Sequence, residues 1–153
     1  MDLSFKEKSI AGSLIITLAL FGYYFIKFFQ ILAEGSSEKL QELPIVLLVV
    51  VVLVVIVEAI YHIAIALGPD GDDVDDERDR LIEAKATRIA YFVLAAGCVT
   101  TIGHATLAGV FAERLDDSLM VSPIMTANFI LISFILAEIT GFGMQLVYYR
   151  RGV

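Results

Sequence analysis

The sequence predicts an all-α membrane protein with four transmembrane helices, arranged as two antiparallel hairpins with both termini in the cytoplasm. Three observations carry this. First, 58% of the 153 residues are hydrophobic and the mean hydropathy is +0.82, whereas soluble domains are roughly 45–50% apolar. Second, the apolar residues gather in four stretches, 9–33, 44–67, 89–112 and 123–149. Each exceeds the roughly 20 helical residues that cross a bilayer core of about 30 Å. Third, Lys6, Lys8, Arg78, Arg80, Lys85, Arg88, Arg150 and Arg151 flank the N-terminus, the middle loop and the C-terminus, while the other two loops hold only Lys39 and Arg114. Lys and Arg collect on the cytoplasmic side, so those three segments are expected inside. Residues 1–153 then form one transmembrane domain.

The first span, 9–33, is about twice as long as the apolar region of a secretory signal, and its flank mixes Asp2 and Glu7 with Lys6 and Lys8. It is therefore expected to be retained as a helix. Lys27 falls about 9 Å to the outer side of its centre, where a long side chain snorkels to the surface or serves as counter-ion to a buried glutamate. After the loop E-G-S-S-E-K-L-Q-E, the second span, 44–67, contains thirteen consecutive aliphatic residues, Ile45 to Val57. The cytoplasmic segment 68–88 begins with helix breakers, gathers acid in D-G-D-D-V-D-D-E-R-D, and turns amphipathic. The third helix is expected to begin near Asp75 or Asp76 and to run to about 112. That acidic run does not fit a calcium loop. Val74 stands fifth from Asp70 and Arg78 sixth from Asp73, where the motif needs an acid or amide and a glycine. Its acids suit the positive end of a helix dipole. A second short loop, E-R-L-D-D-S-L-M-V-S, leads to the fourth helix, 123–149. Short outer loops make tight hairpins. Charged turns F-K-E-K-S-I and I-E-A-K-A-T, with one glutamate past the middle of each second helix, suggest a parallel duplication about an axis along the membrane normal.

Glu58 follows the aliphatic run, and His62 lies four residues later on the same helical face. Aliphatic residues at about −0.3 to −0.6 kcal/mol each offset the roughly 3 kcal/mol cost of one central charge, so the span still inserts. Both histidines, His62 and His104, fall in spans, and the fourth helix supplies Glu138. At about 1.5 Å per residue, Glu58 and Glu138 lie about 3–4 Å to the inner side of centre, His62 about 10 Å to the inner side and His104 about 5 Å to the outer side. Their side chains lean toward the midplane. Gly97, Thr100, Thr101, His104 and Ala108 on the third helix, and Glu138, Gly141 and Gln145 on the fourth, form the small and polar stripes that packed membrane helices place at interfaces. Three readings stay open. The carboxyl groups are uncharged glue between helices; or two carboxylates and two imidazoles hold a transition metal such as zinc, manganese or iron; or the residues form a proton or ion pathway.

Other chemistry is disfavoured. Bis-histidine haem needs both ligands near one level, yet the two histidine Cα atoms differ in depth by about 15 Å. E-A-I-Y-H is not H-E-x-x-H. No Ser or Cys nucleophile stands beside a base in a known motif, and no glycine-rich phosphate loop occurs, so no enzyme is expected. The lone Cys98 has no partner in the chain for a disulfide and no zinc-finger spacing.

Taken together, F-K-E-K-S near the start, D-E-R-D-R-L-I before the third helix, A-E near the middle of the fourth and V-Y-Y-R-R-G at the end resemble a family of small four-helix membrane proteins of bacteria. The resemblance spans nearly the whole chain and implies a multi-pass protein of the cell inner membrane. It transfers no activity and no functional residue. Such proteins tend to be encoded beside small helix-turn-helix regulators, which implies a membrane-bound partner of a transcription factor. Asp72, Asp73, Asp75 and Asp76 are the candidate contacts for a basic regulator. The expected function is thus that of an accessory or regulatory membrane protein acting through its cytoplasmic face. The alternative is an ion-, proton- or metal-binding membrane protein using Glu58, His62, His104 and Glu138. Expected partners are the bilayer, the cytoplasmic regulator and a second copy of the chain, with no direct binding of nucleic acid.

Overall fold

A computed structural model describes residues 4–68, 76–111 and 122–152. It contains α1 (Phe5–Glu34), the single turn α2 (Ser37–Leu40), α3 (Leu43–Ala66), α4 (Glu77–Val110) and α5 (Pro123–Arg151). No strand occurs among the described residues. Four helices, α1, α3, α4 and α5, are long and apolar enough to cross a membrane. A helix satisfies its backbone groups within itself, which the hydrocarbon of a bilayer demands.

Local sequence sets the helix starts. Ser4 caps α1 by accepting the Glu7 N–H, while the Glu7 carboxylate accepts the Ser4 N–H. Asp76 and Asp79 repeat this reciprocal capping at α4. Pro44 and Pro123 sit in the first turns of α3 and α5, where a missing N–H leaves no helical bond unmade. Up to Val57, α3 is apolar around its whole circumference. Only Leu43 and Val50 are buried, and Ile45, Leu48, Val55, Ile60 and Ile63 are exposed, as suits a helix whose outer face meets lipid.

α1 packs against both α3 and α5, and α4 packs against α5. Ser9 meets His62 and Ser13 meets Glu58, so α1 and α3 run antiparallel. α4 and α5 do likewise, since Asp79 meets Tyr149 and His104 meets Phe129. The two hairpins join through α1 and α5, also antiparallel, with Glu7 at Arg150 and Tyr24 at Asn128. Across the molecule the order is α3, α1, α5, α4. A duplication about an axis along the membrane normal would match the α1·α5 pair with an equally close α3·α4 pair. Among the described residues α3 and α4 make no such pairing, and the duplication suggested by the sequence is not expressed in the packing.

The core is Phe21, Tyr24 and Phe28 of α1 with Leu40, Leu43, Val50, Met125 and Ile135. Within it the Tyr24 hydroxyl donates to Asn128 Oδ1 at 2.7 Å, and both residues are buried. Two glycines let helices approach closely. A Cβ at Gly12 would overlap the Tyr61 ring of α3, and one at Gly97 would overlap Ser133 of α5.

At one end of the molecule, called here the charged end, three helices are clasped. Lys6 Nζ lies 2.9 Å from Asp79 Oδ2, and the Tyr149 hydroxyl donates to Asp79 Oδ1 at 2.7 Å. Arg150 Nε donates to Glu7 Oε1 at 3.1 Å. Glu7 and Asp79 therefore each close the N-terminus of their own helix and hold a second helix as well. The segments F-K-E-K-S, D-E-R-D-R-L-I and Y-Y-R-R-G, far apart in sequence, meet at this clasp.

Candidate functional site

α1 presents Ser9, Ser13, Thr17 and Phe21 at intervals of four residues, hence on one face. α3 brings Val54, Glu58 and His62, again four apart, and α5 brings Phe134, Ile135, Glu138 and Phe142. Together with Ile10 they line a cavity of about 480 Å³.

One wall is a continuous hydrogen-bonded chain. The Ser13 hydroxyl donates to Glu58 Oε2 at 2.8 Å. His62 Nε2 lies 3.0 Å from the same carboxylate oxygen and 3.2 Å from Ser13 Oγ. Its other ring nitrogen, Nδ1, lies 3.4 Å from Ser9 Oγ. With the proton on Nε2, His62 donates to Glu58 while Nδ1 accepts the Ser9 hydroxyl. Protonating Nδ1 as well reverses the Ser9 bond and leaves an imidazolium against the carboxylate. The side chain of Glu58 is 22% exposed and that of His62 45%. Tyr61 steadies this stretch of α3 by donating its hydroxyl to the Lys8 carbonyl at 2.6 Å.

Glu138 lines the opposite wall and has no hydrogen bond or ion pair among the described residues. Among the described residues no Lys or Arg lines the cavity. Lys27 is exposed and lines a separate pocket near the far end, with Gln30, Glu34, Lys39 and Glu42, so it faces neither glutamate here.

Of the four intramembrane residues singled out by sequence, the structure brings Glu58 and His62 into contact and sets Glu138 in the same cavity. His104 is elsewhere. Its ring packs on Phe129 at 4.5 Å in the α4–α5 interface, with Nδ1 buried and unpartnered. Span-based depth gave its level but not which way its face turns. Among the described residues no three His, Cys, Asp or Glu side chains are grouped to hold a metal ion. The stripe on α4 meets α5 rather than the cavity, with Gly97 at Ser133 and His104 at Phe129, while Thr100 and Thr101 donate their hydroxyls to Ala96 and Gly97 carbonyls one turn back. Gln145 lies at the charged end rather than in the cavity. Asp72, Asp73 and Asp75 lie outside the described residues, and Asp76 is occupied as the α4 cap.

The cavity has two approaches. Ser9 and Ile10 also line a second pocket of about 230 Å³ at the charged end, with Lys6, Asp79, Arg80, Glu83 and Tyr149. Ser9 thus stands where the two spaces meet. Sideways, α3 and α5 flank α1 without packing closely on each other, and Phe134 on that seam is 48% exposed. Away from the charged end the cavity is stopped by Phe21, Tyr24 and Phe28.

Sequence reasoning missed Ser9, Ser13 and Thr17. Their signal was present as hydroxyl residues spaced by four within an apolar span, the same spacing that drew notice to Glu58 and His62. Compared with models of known protein families, with curated proteins and with solved structures, the chain matches none.

Proposed function

We propose that the protein is a multi-pass inner-membrane protein, with both termini cytoplasmic, that binds a cation or proton between α1, α3 and α5. The observation that carries this is the cavity itself. Glu58 is held by Ser13 and His62 on one wall, and among the described residues Glu138 is unpaired on the other and no Lys or Arg lies between them. Placing a carboxylate at membrane depth is costly, and a positively charged occupant or a proton offsets that cost. Ser9, His62, Ser13 and Glu58 form a relay toward the charged end, which the distribution of Lys and Arg assigns to the cytoplasm. The resemblance to small bacterial four-helix membrane proteins agrees with the location and is silent on the ligand.

An infrared pH titration of the purified protein tests this. The carbonyl band of protonated carboxyl groups should appear reversibly on acidification and lose intensity in Glu58→Gln and in Glu138→Gln. A band untouched by both substitutions would end the reading. The regulatory reading, in which Asp72, Asp73, Asp75 and Asp76 receive a basic cytoplasmic partner, rests on the acidic run and on the resemblance.

A further inference from the structure

We propose that the occupant of the cavity is a lipophilic organic monocation, an ammonium carrying an aromatic or branched alkyl group, which exchanges for a proton at Glu58 and Glu138. This rests on the cation-site reading above and names its ligand. Five features select this class. Among the described residues the lining offers two carboxylates and no Lys or Arg, so it favours positive charge. It also offers the rings of Phe21, Phe134 and Phe142, whose faces attract an ammonium that has no N–H to donate. A metal ion needs several converging donors, and no such group of three exists among the described residues. The volume of about 480 Å³ falls in the usual range for small organic ligands, roughly 300–1,000 Å³, and far exceeds the roughly 30 Å³ share of one water. The seam between α3 and α5 opens toward the surrounding lipid, with Phe134 on it. An amphipathic cation dissolved in the bilayer reaches the carboxylates by that route without crossing the aromatic core.

The exchange balances simply. The carboxyl O–H bond breaks, the proton leaves to water through His62 and Ser9, and the ammonium takes its place as counter-charge. No carbon bond changes. One proton leaves the Glu58–Glu138 pair for each monocation bound, so affinity for the cation rises with pH, by up to about tenfold per unit.

The test uses the full chain in nanodiscs of phosphatidylethanolamine and phosphatidylglycerol, titrated calorimetrically with benzyltriethylammonium. One site per chain is expected, with a heat that depends on buffer ionisation because a proton is released. Affinity should rise with pH, fall at least tenfold in Glu138→Gln, and fall about threefold to tenfold in Phe142→Leu, which keeps bulk and loses the ring face. Glu34→Gln, at the far end, should leave it unchanged. Sodium and zinc ions should not displace the ligand. Displacement by zinc, or equal affinity in wild type, Glu138→Gln and Phe142→Leu, overturns the proposal. So does absence of binding while the infrared titration still reports Glu58 and Glu138, a result that leaves the broader cation or proton site standing. Loss of both signals removes both. If Glu138→Gln does not fold, Phe142→Leu and the pH dependence of the native protein decide the matter.

Discussion

Replacing Asp79 with alanine should release the clasp at the charged end. The Asp79 carboxylate has three partners: the Asp76 N–H at 3.2 Å, the Tyr149 hydroxyl at 2.7 Å and the Lys6 ammonium at 2.9 Å. Lys6 and Asp79 are 18% and 16% exposed, so water does not fully replace what is lost. A hydrogen bond to a charged group contributes about 1.5–3 kcal/mol. The capping contact adds about 0.5–1 kcal/mol, and an ion pair of this kind about 1 kcal/mol or less. The three share one carboxylate and do not add fully, which places the loss near 3 kcal/mol, about a hundredfold in the folding equilibrium. Unfolding by SDS from mixed micelles, followed by far-ultraviolet circular dichroism, measures it. Tyr149→Phe removes one partner only and should cost about 1–1.5 kcal/mol. In the double variant Tyr149→Phe should add little, because its hydrogen bond is already gone. A loss below about 0.5 kcal/mol for Asp79→Ala, or full additivity with Tyr149→Phe, would refute the clasp.

Topology is checked by single-cysteine labelling in a Cys98→Ser background: Ser36→Cys and Asp117→Cys should react from outside intact cells, Asp73→Cys and Gly152→Cys should not, and outside labelling of Asp73→Cys would invert the assignment. Gly97→Val should drive α4 off Ser133 and cost about 1–3 kcal/mol in the same SDS assay, whereas Gly103→Val, whose Cβ would meet nothing within 4 Å, should be near neutral. If a basic cytoplasmic partner binds the acidic run, reversing Asp72, Asp73, Asp75 and Asp76 to Lys should abolish its co-purification, and Glu58→Gln should spare it; the opposite sensitivity would assign the function to the cavity.

Helix number was legible because each of the four apolar stretches suffices to cross a bilayer, and Pro44, Pro123 and Asp76 marked starts that the structure shows. α1, by contrast, begins at Phe5, ahead of the expected residue 9, because the Ser4–Glu7 cap lies outside the apolar stretch. The contact between Glu58 and His62 was legible too, since four residues return a helix to the same face. What the sequence did not disclose was the azimuth of each helix. In water a buried face is apolar and an exposed one polar, but Ile45 and Val50 of α3 are equally apolar while one faces outward and the other is buried. The pairing of α1 with α5 and the departure of His104 from the cluster both depend on that rotation. For the same reason the clasp was visible only as charged segments, with nothing to say that Glu7 and Arg150 are neighbours.

Because α3 and α5 do not pack closely on each other, an amphiphile surrounding the helices would complete the wall of the cavity on that side. Extraction into a detergent is then a change of ligand environment as well as of solvent. An alkyltrimethylammonium detergent, with its cationic head and alkyl tail, presents the chemistry inferred for the occupant and would compete for the carboxylates, while a maltoside would lay only a neutral chain against Phe134. The lipid and detergent composition of a preparation belongs among the thermodynamic components of this site.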